Sequence, residues 1–409
     1  LAALLPAAGA CEERSEHVPL PEDDETAEEA PAATRPIDVT GLLAGRMLAP
    51  LGLDTGVRAH NVEQLVFFLL LPPLLFQAAW HLRLPALRRW SVPIALLATL
   101  GVGIGTLATA ALLFFAVDHP GFPWLAALLA GSMLAAIDPV AVVTRLRAER
   151  ASEEVTTLIE GESLLNDATA AILFGLVLAV ATGTPDALSP LGAGELLLRH
   201  LVAAPVFGLL AAGFLFLIIR YLASATATQG LLLFGAFLSF FLAEEKLHVS
   251  GIIAVVVTGL TLRVLFSTAS TPTPGNSEFT WEWVGETWTA LTYMLLGLVI
   301  VPGMFLDQWA AALLAIPVAL FSRFVAVFGS LLPIGPVRVP WRWRPLLVWG
   351  GLRGAIAIAL VLALPTELPY WYTLQAMVFS VVLFSTLVQG TTTGWLLRRL
   401  GLAGSGPKG

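Results

Sequence analysis

Segments of about 20 apolar residues, the length needed to cross ~30 Å of hydrocarbon, recur along almost the whole chain after Asn61. No other feature limits the possible folds as much. In lipid every backbone polar group must be satisfied within the protein, so such a chain folds as a bundle of helices. Only 12% of the 409 residues are charged and 57% are hydrophobic, about half the charge that a soluble surface carries. The expected fold is all-α, a polytopic transmembrane helical bundle.

Eleven spans are expected, at approximately 62–80, 92–117, 121–145, 156–181, 197–219, 226–243, 248–266, 286–306, 308–332, 345–364 and 371–397. Residues 37–53 are half-apolar and interrupted by Arg46, which makes a weak or partial span. The transmembrane domain is thus placed at 37–400, with a short tail at 401–409. Residues 1–36 are different: nine acids lie between Cys11 and Pro36, a composition expected to remain solvated and disordered. The lone Cys11 provides no disulfide framework and no thiolate metal site. The chain has no basic patch for nucleic-acid phosphates, and no cofactor is implied.

Basic residues support this span count. If the spans alternate, one side receives Arg83, Arg88, Arg89, Arg145, Arg147, Arg150, Arg220, Arg263, Arg338, Arg342, Arg344, Arg398, Arg399 and Lys408; the other, from Asn61 on, receives only Arg199 and Lys246. The positive-inside rule makes the arginine-rich side cytoplasmic, and the C-terminus with it. Lysine occurs only at 246 and 408 among 22 basic residues, and this arginine bias reads as bacterial. The expected location is a bacterial inner membrane, in contact with its lipid. A short echo of Val39-Thr40-Gly41-Leu42 in Val257-Thr258-Gly259-Leu260 hints at repeated units, which are common in secondary transporters.

An ionisable side chain inside a span is costly and marks a functional candidate. Asp138 is followed by Pro139, and the next span carries Glu160-Gly161-Glu162-Ser163-Leu164-Leu165-Asn166-Asp167. On a helix, Glu162 and Asn166 share one face and Ser163 and Asp167 the adjacent one. These oxygens suit a hard cation such as Na⁺. Pro139 lacks an N–H, which frees the carbonyl of Ala135; freed carbonyls at membrane depth can line a cavity or coordinate an ion. A plain proline kink beside a snorkelling acid is the structural alternative for Asp138. Asp167 is the sharpest candidate, because a buried carboxylate can hold a proton or a cation but not both. Arg323 and Arg353 also lie within spans, and each needs a buried acid or water. Glu162 is the partner for one of them; the spacing does not say which. Glycines 350, 351 and 354 around Arg353 permit an unwound or closely approached backbone.

No His or Lys lies near a Ser deep in a span, as a membrane hydrolase requires, and one asymmetric acid cluster does not make a channel's rings. An ion exchanger is the expected function, not an enzyme.

Met133-Leu134-Ala135-Ala136-Ile137-Asp138-Pro139-Val140-Ala141-Val142 and Glu160 to Asp167 resemble signatures of NhaP/NHE-type monovalent cation–proton antiporters. Gly350 to Ala355, Leu71 to Phe76 and Val249 to Val256 are similar to three more. The resemblance implies an NhaA/NhaP-like fold: a dimer of thirteen-helix protomers with inverted repeats, in which the broken helices 121–145 and 345–364 cross near the ion. It implies Na⁺ at Asp167, Asp138 and Ser163, completed by the backbone of Ile137, with Glu162 holding Asn166. The Asn166-Asp167 pair implies electroneutral exchange of one cation per proton; Li⁺ or K⁺, or a mixture of cations, is the alternative cargo. The sequence departs from the pattern at Ile137, where the family has Thr, and at Gln77, where it has Glu. The acidic residues 11–36 stand where the first helix and much of the second belong, which points to a frame or start error there.

Overall fold

The computed structural model describes residues 64–116, 122–183, 198–222, 224–268, 277–299, 302–332 and 339–403. The expectations for residues 1–36, for the partial span 37–53 and for the far end of the tail lie outside them.

The described residues form helices and no strand. In chain order they are α1 (Leu65–His81), α2 (Leu84–Ala116), α3 (Trp124–Met133), α4 (Val140–Ala148), α5 (Glu153–Ala181) and α6 (Arg199–Leu222). They continue with α7 (Ala225–Phe241), α8 (Gly251–Thr268), α9 (Ser277–Val299), α10 (Pro302–Asp307), α11 (Trp309–Ser330), α12 (Arg344–Trp349), α13 (Ala355–Leu362) and α14 (Trp371–Arg399). Each expected span from 62–80 onward has a helix. Two start earlier than hydropathy suggests. Helix α2 begins at Leu84 because Arg88 and Arg89 lie in its first turns, where they remain exposed. Helix α9 begins at Ser277 and not near 286, because Glu282 and Glu286 stay exposed on an otherwise helical first half.

Two crossings are broken where the sequence requires it. Chain 134–139 leaves the helix between α3 and α4, ending at Pro139, and 350–354 does so between α12 and α13. A half-helix of ten residues such as α3 rises only about 15 Å, half the hydrocarbon depth, so neither half of such a crossing spans the membrane alone.

The order long helix, broken helix, long helix occurs twice: α2, α3/α4, α5 and then α11, α12/α13, α14. Each member of the second triplet is the seventh crossing after its counterpart, an odd number, so the second triplet runs opposite to the first. This is the inverted repeat of secondary transporters. The two triplets pack on each other, α2 against α11, α3 and α5, and α11 against α14. Helices α1, α6, α7, α8 and α9 form a second group, with α8 packed on α6, α1 and α7 and α9 packed on α1. The site lies at the seam between the groups.

Candidate functional site

The two breaks meet. The Asp138 N–H donates to the Leu352 carbonyl at 2.8 Å, joining one break to the other. The Asp138 carboxylate turns back to accept from the Val140 N–H at 3.0 Å, which satisfies one free N–H of the first turn of α4. Gly354 allows this approach: a β-carbon there would overlap the Asp138 side chain.

Each break frees carbonyls, and an arginine takes them. Arg353 donates from Nη1 to the carbonyls of Ala135 (3.2 Å) and Ala136 (3.1 Å). Pro139 therefore does free the Ala135 carbonyl, but a guanidinium takes it, so it is not left for an ion. Arg323 donates from Nε and Nη2 to the Leu347 carbonyl at 3.1 and 2.9 Å, at the C-terminal end of α12. Its Nη1 reaches Glu162 Oε1 at 2.6 Å, with both side chains 5% exposed or less. The open choice for Glu162 is thereby settled in favour of Arg323. Gly351 makes room, since a β-carbon there would meet the Arg323 guanidinium.

Helix α5 sorts its polar residues by face. Ser163 donates to the Ile137 carbonyl at 2.6 Å, and Ser163 and Asp167 line one cavity with Ile137 and Asp138. Glu162 and Asn166, on the adjacent face, turn away from it toward Arg323 and Arg353. The oxygen set expected from the sequence is thus divided, and four of its six members face the cavity. Glu162 bonds Arg323, and Asn166 Oδ1 is buried without a hydrogen-bond partner. Asp167 is 6% exposed, and its Oδ1 likewise has no partner. The described residues place no basic side chain in the lining of its cavity.

The cavity has a volume of about 90 Å³; one water needs about 10–15 Å³ of such space, so a partly hydrated cation fits. Its far wall comes from the second helix group: Gln77 on α1, and Thr289 and Thr292 on α9. Reading of the acids alone missed these two threonines. Their signal was a polar i, i+3 pair within an apolar stretch. One to two helical turns outward on α1 and α5 lies a larger vestibule of about 880 Å³, lined by His81, Arg83, Arg147, Glu160, Arg263 and Glu282 among others. Glu160 is 7% exposed and pairs there with Arg147 at 2.9 Å. The vestibule lies on the arginine-rich side.

Two interrupted helices that cross at a buried, unpaired carboxylate, on inverted repeats, define a secondary transporter. The chain belongs to the sodium/hydrogen exchanger family of transmembrane proteins, whose model matches residues 35–399. It is a family of secondary transporters, not of enzymes. The chain is 34% identical over 358 residues to the low-affinity Na⁺/H⁺ antiporter NhaS1 of Synechocystis, covering 84% of this chain and 66% of that protein. It is 33% identical over 361 residues to the Na⁺/H⁺ antiporter NhaP of Pseudomonas aeruginosa, covering 84% and 83%. Its fold matches that of the sodium proton antiporter MjNhaP1 of Methanocaldococcus jannaschii with a TM-score of 0.72 at 20% identity, covering 90% of this chain and 97% of that one.

Proposed function

We propose that this protein exchanges Na⁺ for H⁺, one for one, by competition at Asp167. The carrying observation is the charge balance of the crossing. Arg323 offsets Glu162 at 2.6 Å, whereas Asp167 faces a cavity whose described lining holds no basic side chain. An uncompensated buried charge is expensive. A proton on Asp167 removes it, and a bound Na⁺ removes it equally. Only these two loaded forms move at low cost, which couples the ions and makes the exchange electroneutral.

In this reading Na⁺ takes oxygens from Asp167, Asp138 and Ser163, with the Ile137 carbonyl held beside them by the Ser163 hydroxyl. Glu162 and Asn166 act from the other face of α5, and Arg323 and Arg353 fix the crossing. The same oxygens would accept Li⁺ or K⁺, so a cation series belongs in the assay. The seam between helix groups is where one group can move against the other to change access. The protein sits in a bacterial inner membrane with its C-terminus cytoplasmic, as the distribution of arginine supports. It forms a homodimer through an apolar face. Leu210, Phe214 and Leu217 on α6 are 62–68% exposed and offer such a face to lipid or a second copy.

The test is reconstitution in proteoliposomes with an internal pH dye. Added Na⁺ should dequench the dye at a rate that a valinomycin-clamped potential leaves unchanged. A rate that follows the clamp would rule out one-for-one exchange. A cysteine introduced at position 147 in a Cys11→Ser background should resist an impermeant reagent outside intact cells; labelling there would reverse the orientation. A single-protomer mass in mild detergent would remove the dimer.

A further inference from the structure

A second cavity, of about 410 Å³, opens on the outer face of the bundle between α11, α12 and α14. Phe324, Phe328, Val348, Trp349, Trp395 and Leu396 form most of its wall. Of its two indoles, Trp349 has its N–H already spent, since Nε1 donates to Thr392 Oγ1 at 3.0 Å. Nothing in the wall asks for a polar ligand. The cavity shares no lining residue with the ion site and has no part in the exchange proposed above.

Its rim is cationic. Arg344, at the start of α12, is 9% exposed and stacks on Trp341 (4.1 Å to the ring centre) and Phe328 (5.5 Å). Its Nε is buried with no partner, and among the described residues its guanidinium forms no ion pair. Arg399, at the end of α14, lies over Trp395 at 5.2 Å. Phe328 and Trp395 therefore both line the groove and carry a guanidinium. The neighbouring Arg398 is already engaged with Glu149, which leaves Arg344 and Arg399 available. Both lie on the arginine-rich side, and the exposed Trp341 and Trp395 match the aromatic belt at a membrane interface.

We infer that this groove is a binding site for an anionic phospholipid, with an acyl chain along the aromatic wall and the phosphate held by Arg344 and Arg399. Basic pockets between transmembrane helices recognise lipid headgroups in this way, and a guanidinium matches phosphate geometry better than an ammonium does. A neutral detergent would fill the groove but leave Arg344 without a counter-charge, and the choline of a zwitterionic lipid offsets much of the charge its phosphate brings.

Native mass spectrometry of the delipidated protein, titrated with phosphatidylglycerol or phosphatidylcholine, tests this. Wild type should retain phosphatidylglycerol in preference. Arg399→Gln should weaken that preference about five-fold, and with Arg344→Gln about 25-fold, at about one surface-lipid increment per arginine. Phosphatidylcholine binding should fall by much less. Val348→Trp, which fills the groove and keeps both arginines, should weaken both lipids. If the double variant fails to fold, Arg399→Gln and Val348→Trp alone decide the question. Equal retention of the two lipids, an unchanged preference in Arg399→Gln, or unchanged binding in Val348→Trp would overturn the site. Full competition by glycerol phosphate would reduce it to a phosphate site and overturn the lipid assignment.

Discussion

Glu162 and Asp167 are buried carboxylates five residues apart on α5, and they differ in what faces them. Glu162 meets the Arg323 guanidinium at 2.6 Å, and that guanidinium also ties down the end of α12. Asp167 meets a cavity whose described lining is apolar or neutral apart from Asp138. One charge is fixed and belongs to the architecture. The other is left for a mobile ion to complete. A five-residue offset on a helix, which turns a side chain by about 140°, separates support from transport.

That contrast can be broken from the architectural side first. Arg323→Gln leaves Glu162 buried and unpaired, and should cost about 3–5 kcal/mol of stability. Thermal melting of the detergent-solubilised protein reads this, and Glu162→Gln in the same chain should recover part of the loss. A single variant as stable as wild type would mean that the pair carries no such role. A smaller effect is expected on the transport side. Ser163→Ala removes the hydroxyl that holds the Ile137 carbonyl, and leaves that carbonyl unsatisfied at about 1–3 kcal/mol. The apparent KM for Na⁺ should rise roughly five- to a hundred-fold, while the melting temperature moves much less than in Arg323→Gln. Melting losses as large as those of Arg323→Gln would place Ser163 with the supports. Arg83 and Glu153 supply the exposed control: they pair at 2.8 Å but remain 65% and 61% exposed. Arg83→Ala should therefore shift stability by less than about 1 kcal/mol, and a larger shift would undercut burial as the deciding variable.

The helical architecture was legible because its spans are long and apolar: seven described helices meet that standard by length and composition alone. The elements that fall short are instructive. α1 is short, α3/α4 and α12/α13 are broken, and α9 carries Glu282 and Glu286. These four, with α5, line the ion cavity. Weak hydropathy marks the site because the site needs polar atoms and unwound backbone. Spacing on one helix separated the Glu162 and Asp167 faces correctly, since i, i+4 geometry is local. What that spacing could not reveal was across-helix partnership. The choice of Arg323 over Arg353 for Glu162 depends on how α11 packs against α5. The fate of the Ala135 carbonyl depends on a residue 218 positions away. Thr289 and Thr292 went unread for the same reason, as a threonine in an apolar helix bonds its own backbone as often as a ligand. Here Thr292 does donate to the Trp288 carbonyl, and its part in the cavity wall becomes visible only from α1 opposite.

The central claim, that one carboxylate carries both ions, is tested most directly at Asp167 in proteoliposomes. Wild-type protein should show an apparent KM for Na⁺ that rises as pH falls, because protons and Na⁺ compete for the same oxygens. Asp167→Asn should melt like wild type and exchange nothing, since an amide can neither release a proton nor neutralise Na⁺. A folded Asp167→Asn that still exchanges Na⁺ for H⁺ near the wild-type rate would contradict the account, and would move the proton to another acid.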